Sequence, residues 1–115
     1  MDLKCKYLTL KERKVILVTS LKTNELLRKI KEHLQKGTYI VSAHALERQN
    51  LRLIDLEDVL HVLKTGFREE SKDLFDVKRQ AWRYAIRGRT IESINIRVII
   101  SFEDEMVIIT VMRVK

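Results

Sequence analysis

The sequence predicts an α+β fold, with N-terminal helices packed on a C-terminal antiparallel sheet of three to four strands. Apolar residues recur with helical spacing up to Gly66 and alternate with polar residues after it. The connections between the last three apolar segments are also short, which is typical of antiparallel neighbours. Helices followed by strands, rather than alternating with them, indicate the α+β class.

Length and composition fit a single domain over residues 1–115. Hydrophobic residues make up 45% of the chain and charged residues 34%, without proline, which excludes collagen-like, low-complexity and disordered classes. The longest apolar run, Val15 to Val18, is too short to cross a bilayer, and no segment resembles a signal peptide. The single cysteine, Cys5, excludes a disulfide framework within the chain. We therefore expect a cytoplasmic domain with no membrane contact and no structural metal.

The helical half begins after an ambiguous segment, residues 1–20, which predicts either an N-terminal arm or a strand. From Thr23 onward, an apolar stripe predicts a helix that Gly37 ends. The stripe comprises Leu26, Leu27, Ile30 and Leu34. The opposite face is basic, and we interpret this helix as a packing element rather than a membrane anchor.

Two shorter helices follow. Ser42 is a suitable N-cap for a helix over residues 43–50. Asp55 caps the next helix, with Asp58 at the capping-box position, and Gly66 ends it. These caps satisfy backbone groups at the helix ends, so they predict where the helices start and stop.

The strand half starts at Phe67. Residues 67–70 predict an edge strand and residues 71–78 a loop. Three longer strands follow, and the acidic turn Glu103 to Glu105 joins the second of them to the third. The side chains predicted to share the apolar face are Trp82, Tyr84, Ile86, Ile94, Ile96, Val98 and Ile100.

Charge is distributed unevenly along the chain, whose formal net charge is +7. Residues 1–40 carry +6 and residues 78–100 carry +5, whereas residues 41–77 carry −3 and residues 101–115 carry −1. Basic blocks of this kind favour a polyanionic partner, either a nucleic acid or an acidic protein. Charge alone leaves open the alternative of a well-solvated surface.

One candidate site lies on the helix over residues 43–50. His44 and Arg48 are four residues apart and so share a helix face, with Arg52 one turn further along. Imidazole exchanges protons near neutral pH, and guanidinium binds phosphate through paired hydrogen bonds, which suits cleavage of RNA phosphodiesters. The alternative is an ordinary histidine in the first helical turn beside an arginine that is either solvated or bridged to nearby carboxylates.

A second candidate site lies on the sheet. Arg83 and Arg87 alternate with the apolar face of their strand, and Arg97 lies off the apolar face of the next. In a hairpin these cations meet on one surface, where they would bind phosphates or an acidic partner peptide. Three scattered histidines and one cysteine make no metal set, and no glycine-rich phosphate loop is present, so we expect no metal and no cofactor.

Several strings of residues, spread from the second helix to the last strand, carry a resemblance to a known family. They are His44 to Arg48 with Arg52, Ile54 to Leu60, Gly66, Trp82 to Gly88, Arg97 to Ile99, and Ile108 to Val111. They resemble small bacterial proteins of unknown function with an H-A-x-x-R-x-x-x-R signature. That family is similar to BrnT and, more distantly, to the RelE and ParE toxins of type II toxin–antitoxin systems. The resemblance covers a core over residues 38–115.

The resemblance implies a RelE/BrnT-like fold and a metal-independent endoribonuclease. Members of the RelE group position the 2′-hydroxyl of RNA for attack on the adjacent phosphate. Carried onto this chain, His44 would be the general acid or base, Arg48, Arg83 and Arg97 would hold the phosphate, and Tyr84 would be a weaker participant. The implied partners are RNA, with or without the ribosome, and an acidic antitoxin protein.

The two lines of reasoning give one set of candidate residues. We predict three catalytic residues: His44, Arg48 and Arg83. We predict four substrate-binding residues: Arg52, Tyr84, Arg87 and Arg97. Some members of the implied toxin group are not nucleases, and ParE-type toxins act on gyrase. A non-catalytic basic module that binds nucleic acid or an acidic protein is therefore the alternative function.

Overall fold

The computed structural model describes residues 7–11, 14–52 and 54–115, and Cys5 lies outside these ranges. Helices and strands alternate irregularly along the described chain. In order, they are β1 (Tyr7–Lys11), β2 (Lys14–Val18), α1 (Thr23–Lys36), β3 (Tyr39–Val41), α2 (Ala43–Arg52), α3 (Leu56–Thr65), β4 (Phe67–Arg68), β5 (Leu74–Asp76), β6 (Ala81–Arg89), β7 (Asn95–Phe102) and β8 (Met106–Arg113). A single 3₁₀ turn over Glu70–Lys72 separates β4 from β5.

The main sheet has the order β3-β8-β7-β6-β4, and β5 also pairs with β6. β6, β7 and β8 form the predicted antiparallel meander, and the α+β class is confirmed. The sheet is nevertheless mixed and six-stranded, because β3 pairs with β8 in parallel. β5 also occupies part of the predicted loop over residues 71–78. These additional strands contain only three residues each, which is too short to produce an alternating pattern in the sequence.

The N-terminal segment contributes a separate two-stranded sheet. β1 and β2 pair as an antiparallel hairpin in the described part of residues 1–20. The described part of this segment therefore forms strands. Residues 1–6, 12 and 13 lie outside the described ranges.

The core lies between the helices and one face of the sheet. α3 packs on β6 and β7, α1 packs on α3, and α2 packs on β8. Most of the predicted apolar side chains are buried in this layer: Leu26, Ile30, Trp82, Tyr84, Ile86, Ile96, Val98 and Ile100. Three others are only partly buried: Leu27, Leu34 and Ile94. α3 adds the buried side chains of Val59, Val62 and Leu63. Removing this apolar surface from water is the main favourable contribution to folding.

The predicted capping box at the start of α3 is present. The Asp58 amide donates to Asp55 Oδ1 at 2.9 Å, and the Asp55 amide donates to Asp58 Oδ2 at 3.3 Å. At the other end, the Gly66 amide donates to the Val62 carbonyl at 2.7 Å. The chain enters β4 immediately after Gly66, so the end of α3 lies directly against β6.

A buried ion pair fixes the segment between β4 and β5. Arg68 Nη2 lies 2.7 Å from Asp73 Oδ2, and the two side chains are 3% and 2% exposed. Asp73 Oδ1 also accepts a hydrogen bond from the Ala85 amide, and Arg68 donates to the Leu21 carbonyl at 2.8 Å. This pair holds residues 67–76 along the edge of β6 and so decides where the acidic side chains of that segment lie.

Candidate functional site

The start of α2 is attached to the sheet by a single side chain. The Ser42 hydroxyl accepts a hydrogen bond from the Ala45 amide at 3.0 Å, as expected of an N-cap, and donates to the Ile109 carbonyl at 2.8 Å. The Ser42 amide also donates to the Ile108 carbonyl at 3.0 Å. These contacts fix the first turn of α2 against β8, and His44 lies in that turn.

His44 and Arg48 lie together on the exposed face of α2. Arg48 Nε donates a long hydrogen bond to His44 Nε2, at 3.4 Å. Ala45 and Gln49 occupy the opposite, buried face of the helix. No carboxylate pairs with either His44 or Arg48 within the described ranges. The remaining guanidinium nitrogens of Arg48 are therefore available to an anion.

Arg52 is the last residue of α2, and only its backbone belongs to the described part of the chain. Its position places it one helical turn beyond Arg48. The proposed contact between the Arg52 side chain and substrate stays a prediction.

Arg87 and Arg97 are brought together, but around a carboxylate. The two residues are direct partners in the register of β6 and β7. Glu69 lies between them: its Oε1 is 2.6 Å from Arg97 Nε, and its Oε2 is 3.4 Å from Arg87 Nη1. Substrate binding by these arginines stays a prediction, and a phosphate would have to displace Glu69 to reach both of them.

Arg83 faces the same side of β6 and has its own acidic partner. Its Nη2 donates to Asp76 Oδ2 at 2.9 Å, while its Nε is buried without a partner in the described part of the chain. Hydrogen bonding from the Arg79 amide and then from Arg83 lowers the pKa of Asp76, in spite of opposing desolvation. The Arg83 side chain remains 39% exposed, so it is the most accessible of the three sheet arginines that were predicted to bind phosphate.

Tyr84 does not share that surface. It alternates with Arg83 along β6, faces the helices and is 4% exposed. Its hydroxyl accepts a hydrogen bond from the Leu21 amide at 2.9 Å, and burial raises its pKa. The side chain that was predicted to contact substrate therefore packs in the core, on the opposite face of β6 from Arg83, and its contact with substrate stays a prediction.

The predicted site residues thus divide into two groups. The His44–Arg48 pair lies on α2, and Arg83, Arg87 and Arg97 lie on the sheet. No hydrogen bond or ion pair joins the two groups among the residues that the structure describes. The α2 pair has no carboxylate partner in the described ranges, whereas Arg83, Arg87 and Arg97 are each matched with a carboxylate.

The matching carboxylates were missed at the level of sequence. Glu69, Asp73 and Asp76 fall in the segment interpreted as an edge strand and a loop, so no partner was assigned to them. The signal that could have found them is the net charge. A net −3 in residues 41–77 lies directly before a net +5 in residues 78–100, and adjacent blocks of opposite charge favour internal ion pairs.

The Glu69 bridge predicts a pH-dependent contribution to stability. Its pKa is lowered from an ordinary value of 4.5, chiefly by the hydrogen bond from Arg97. A carboxyl group with a lowered pKa stabilises the fold above its ordinary pKa, and this contribution is lost as the pH falls through the lowered value. At pH 7 we expect the free energy of unfolding of wild type to exceed that of Glu69→Gln by about 1 kcal/mol. Below pH 4.5 this difference should shrink in urea unfolding curves, and a difference that stays constant down to pH 2.5 would contradict the bridge.

Residues in the described ranges form no group of three or more histidine, cysteine, aspartate or glutamate side chains that could hold a metal ion. No described helix is long and apolar enough to cross a membrane.

Comparison with known proteins gives one result that bears on family. The family model described as a domain of unknown function (DUF4258) matches residues 41–113, which include α2 with its His44–Arg48 pair and the strands β6 to β8. The comparisons with curated proteins and with solved structures give no match. The similarity to BrnT, RelE and ParE stays a prediction. Because the matched region covers more than half of the 115 residues, the chain belongs to the DUF4258 family.

Proposed function

We propose that this chain is a metal-independent endoribonuclease that acts as the toxin of a type II toxin–antitoxin system. The observation that carries the proposal is the His44–Arg48 pair, with its nitrogens 3.4 Å apart on an exposed helix face. An imidazole beside a guanidinium that has no carboxylate partner in the described ranges supplies both a proton carrier and an anion-binding group. The net charge of +7 supports a polyanionic substrate.

The proposed reaction needs only the RNA and the protein. The 2′-oxygen attacks the adjacent phosphorus, so that a bond from O2′ to phosphorus forms and the bond from phosphorus to O5′ breaks. His44 accepts the proton of the 2′-hydroxyl and returns a proton to the departing 5′-oxygen. Arg48 stabilises the charge that develops on the phosphoryl oxygens. The products are a 2′,3′-cyclic phosphate and a 5′-hydroxyl.

Arg83 has a secondary role in this proposal. It is the most exposed of the sheet arginines that were predicted to bind phosphate, and its buried Nε has no partner among the described residues. An incoming phosphate would compete with Asp76 for the guanidinium. We therefore assign Arg83 to binding of the RNA backbone.

We expect His44→Ala to lower the rate of RNA cleavage about a hundredfold, because general acid–base catalysis contributes at least that much. Arg48→Ala should lower the rate as well, through lost charge stabilisation. The measurement is cleavage of a labelled RNA in EDTA, with detection of the cyclic phosphate ends. Arg28→Ala, which removes an exposed arginine from α1, is the matched control and should cleave normally.

The same variants test the proposed toxicity. Expression of wild type in a bacterium should arrest growth, whereas the double variant His44→Ala/Arg83→Ala at equal protein level should not. Cleavage by His44→Ala at the wild-type rate would remove His44 from the mechanism. Harmless expression of wild type would contradict the toxin assignment.

The second candidate is a non-catalytic module that binds nucleic acid or an acidic protein. The observation that favours it is the neutralisation of Arg87 and Arg97 by Glu69, which leaves fewer cations for a transition state. Such a module predicts salt-dependent association with RNA and no product. Binding of RNA without any cleavage would therefore support the non-catalytic module.

A further inference from the structure

A groove separates the end of α3 from the start of the β6–β7 turn. It encloses about 520 Å³, and Gly66, Phe67, Gly88, Arg89 and Asn95 are among the residues that line it. Among all the residues that line it, only Arg87 belongs to the predicted substrate-binding set, and none belongs to the predicted catalytic set. The proposed function gives no role to the others.

Two of the residues that line the groove are glycines at the contact between α3 and β6. Gly66 and Gly88 approach so closely that a Cβ built on Gly88 would lie 3.1 Å from Gly66 Cα and 3.2 Å from Val62 Cγ1. The two glycines permit this approach of α3 and β6, because a side chain on either would meet the other element. Phe67 and Arg89 line the groove beside this contact.

The walls combine an aromatic ring with a cation. The Phe67 side chain is 59% exposed, although it belongs to a strand of the main sheet. Arg89 is exposed at the end of β6, and no carboxylate is paired with it in the described part of the chain. Arg87 also lines the groove, and no acidic side chain is among the residues that do.

We propose that this groove is a nucleotide-binding subsite for single-stranded RNA. One base of the RNA stacks on Phe67, the phosphate of the same nucleotide pairs with Arg89, and the Asn95 amide contacts the edge of the base. Exposed aromatic rings beside cations bind single strands in this way, since every base offers a flat π-face. The inference rests on the proposed action on RNA and extends it by naming where the strand lies outside the cleavage site.

An acidic protein segment is a poorer fit to this groove. Such a segment would be recognised by several free cations, whereas one of the two arginines that line the groove is already bonded to Glu69. The exposed ring of Phe67 would gain little from carboxylates. The groove instead offers the groups that match one nucleotide: the Phe67 ring, the Asn95 amide and the guanidinium of Arg89.

The test measures binding of fluorescein-labelled hexauridylate by fluorescence anisotropy. The parent protein carries His44→Ala, so that the RNA stays intact. Adding Phe67→Ala should weaken binding about tenfold through lost stacking, and Phe67→Trp should keep or improve it. Adding Arg89→Ala should weaken binding and reduce the slope of log affinity against log salt by about 0.7, the value for one phosphate contact on a single strand.

Leu74→Ala is the control for Phe67→Ala, because Leu74 is 68% exposed on β5 and does not line the groove. Arg28→Ala is the control for Arg89→Ala. Urea unfolding midpoints of all variants should agree, since each substituted side chain is exposed.

The outcomes separate this inference from the cleavage proposal. If Phe67→Ala binds hexauridylate as tightly as its parent, or if the parent does not bind it, the subsite is wrong whatever the cleavage assay shows. If polyaspartate competes with equal strength and Phe67→Ala changes nothing, the groove is an acidic-protein site instead. Phe67-dependent binding by a wild type that cleaves nothing would uphold the subsite and overturn the catalytic role of His44.

Discussion

Replacing Asp73 by alanine is expected to lower the free energy of unfolding by about 3–5 kcal/mol. Asp73 and Arg68 are almost completely buried, and the substitution leaves the Arg68 charge in the interior without its counter-ion. It also removes the acceptor for the Ala85 amide. Urea unfolding followed by the fluorescence of Trp82, the single tryptophan, measures the loss.

Two controls distinguish the lost pair from a general effect of charge. Asp104→Ala removes an exposed carboxylate and should change stability by no more than about 0.5 kcal/mol. The double variant Arg68→Met/Asp73→Asn removes both charges and keeps an oxygen for the Ala85 amide, so it should recover much of the loss. A loss below about 1 kcal/mol in Asp73→Ala would contradict the importance of the pair.

This pair also connects stability to the candidate site. It holds residues 67–76 along β6, and that segment supplies Glu69 to Arg87 and Arg97. Loosening the segment should therefore free the sheet arginines as well as destabilise the fold. A variant of Asp73 that is destabilised should therefore also bind RNA more tightly, because the Arg68–Asp73 pair no longer holds this segment in place.

Local signals in the sequence predicted the helices and the meander well. The Asp55–Asp58 capping box and the stop at Gly66 depend only on backbone groups within one turn of each residue, so they can be read from neighbours in sequence. The alternation of Trp82, Tyr84 and their neighbours likewise reports directly on one buried face.

Among the short strands, the edge strand β4 was predicted, but β3 and β5 could not be predicted in this way. β3 contains three residues, and it is a strand only because β8, more than sixty residues later, supplies its parallel partner. β5 similarly depends on β6 and on the buried Asp73 beside it. Pairing over such separations leaves no local period in the sequence.

The candidate site was predicted only where residues near one another in the sequence decide its geometry. Helical spacing alone placed His44 beside Arg48, because residues four apart share a helix face. Strand alternation placed Arg87 opposite Arg97 but could not show Glu69 between them, since Glu69 comes from another element. Tyr84 was carried over by resemblance, and its burial follows from its own strand face.

Gly66 is the residue whose substitution should disturb the end of α3 most. An added Cβ would lie 2.5 Å from the Arg87 carbonyl oxygen and 2.6 Å from the Val62 carbonyl oxygen. Both contacts are with backbone, so no side chain can rotate to relieve them. The helix end and β6 must instead move apart, which also disturbs the groove and exposes Val62, now fully buried.

We expect Gly66→Ala to lower the free energy of unfolding by about 3 kcal/mol, at the upper end of the cost of overpacking. Gly37→Ala is the matched control: Gly37 has a φ of 69° but nothing within 4 Å of its added Cβ, so it should lose about 1 kcal/mol from backbone strain alone. Urea unfolding of both variants measures the difference. Equal losses would mean that α3 and β6 separate at little cost, and the close approach of the two backbones would then not be what holds the groove in shape.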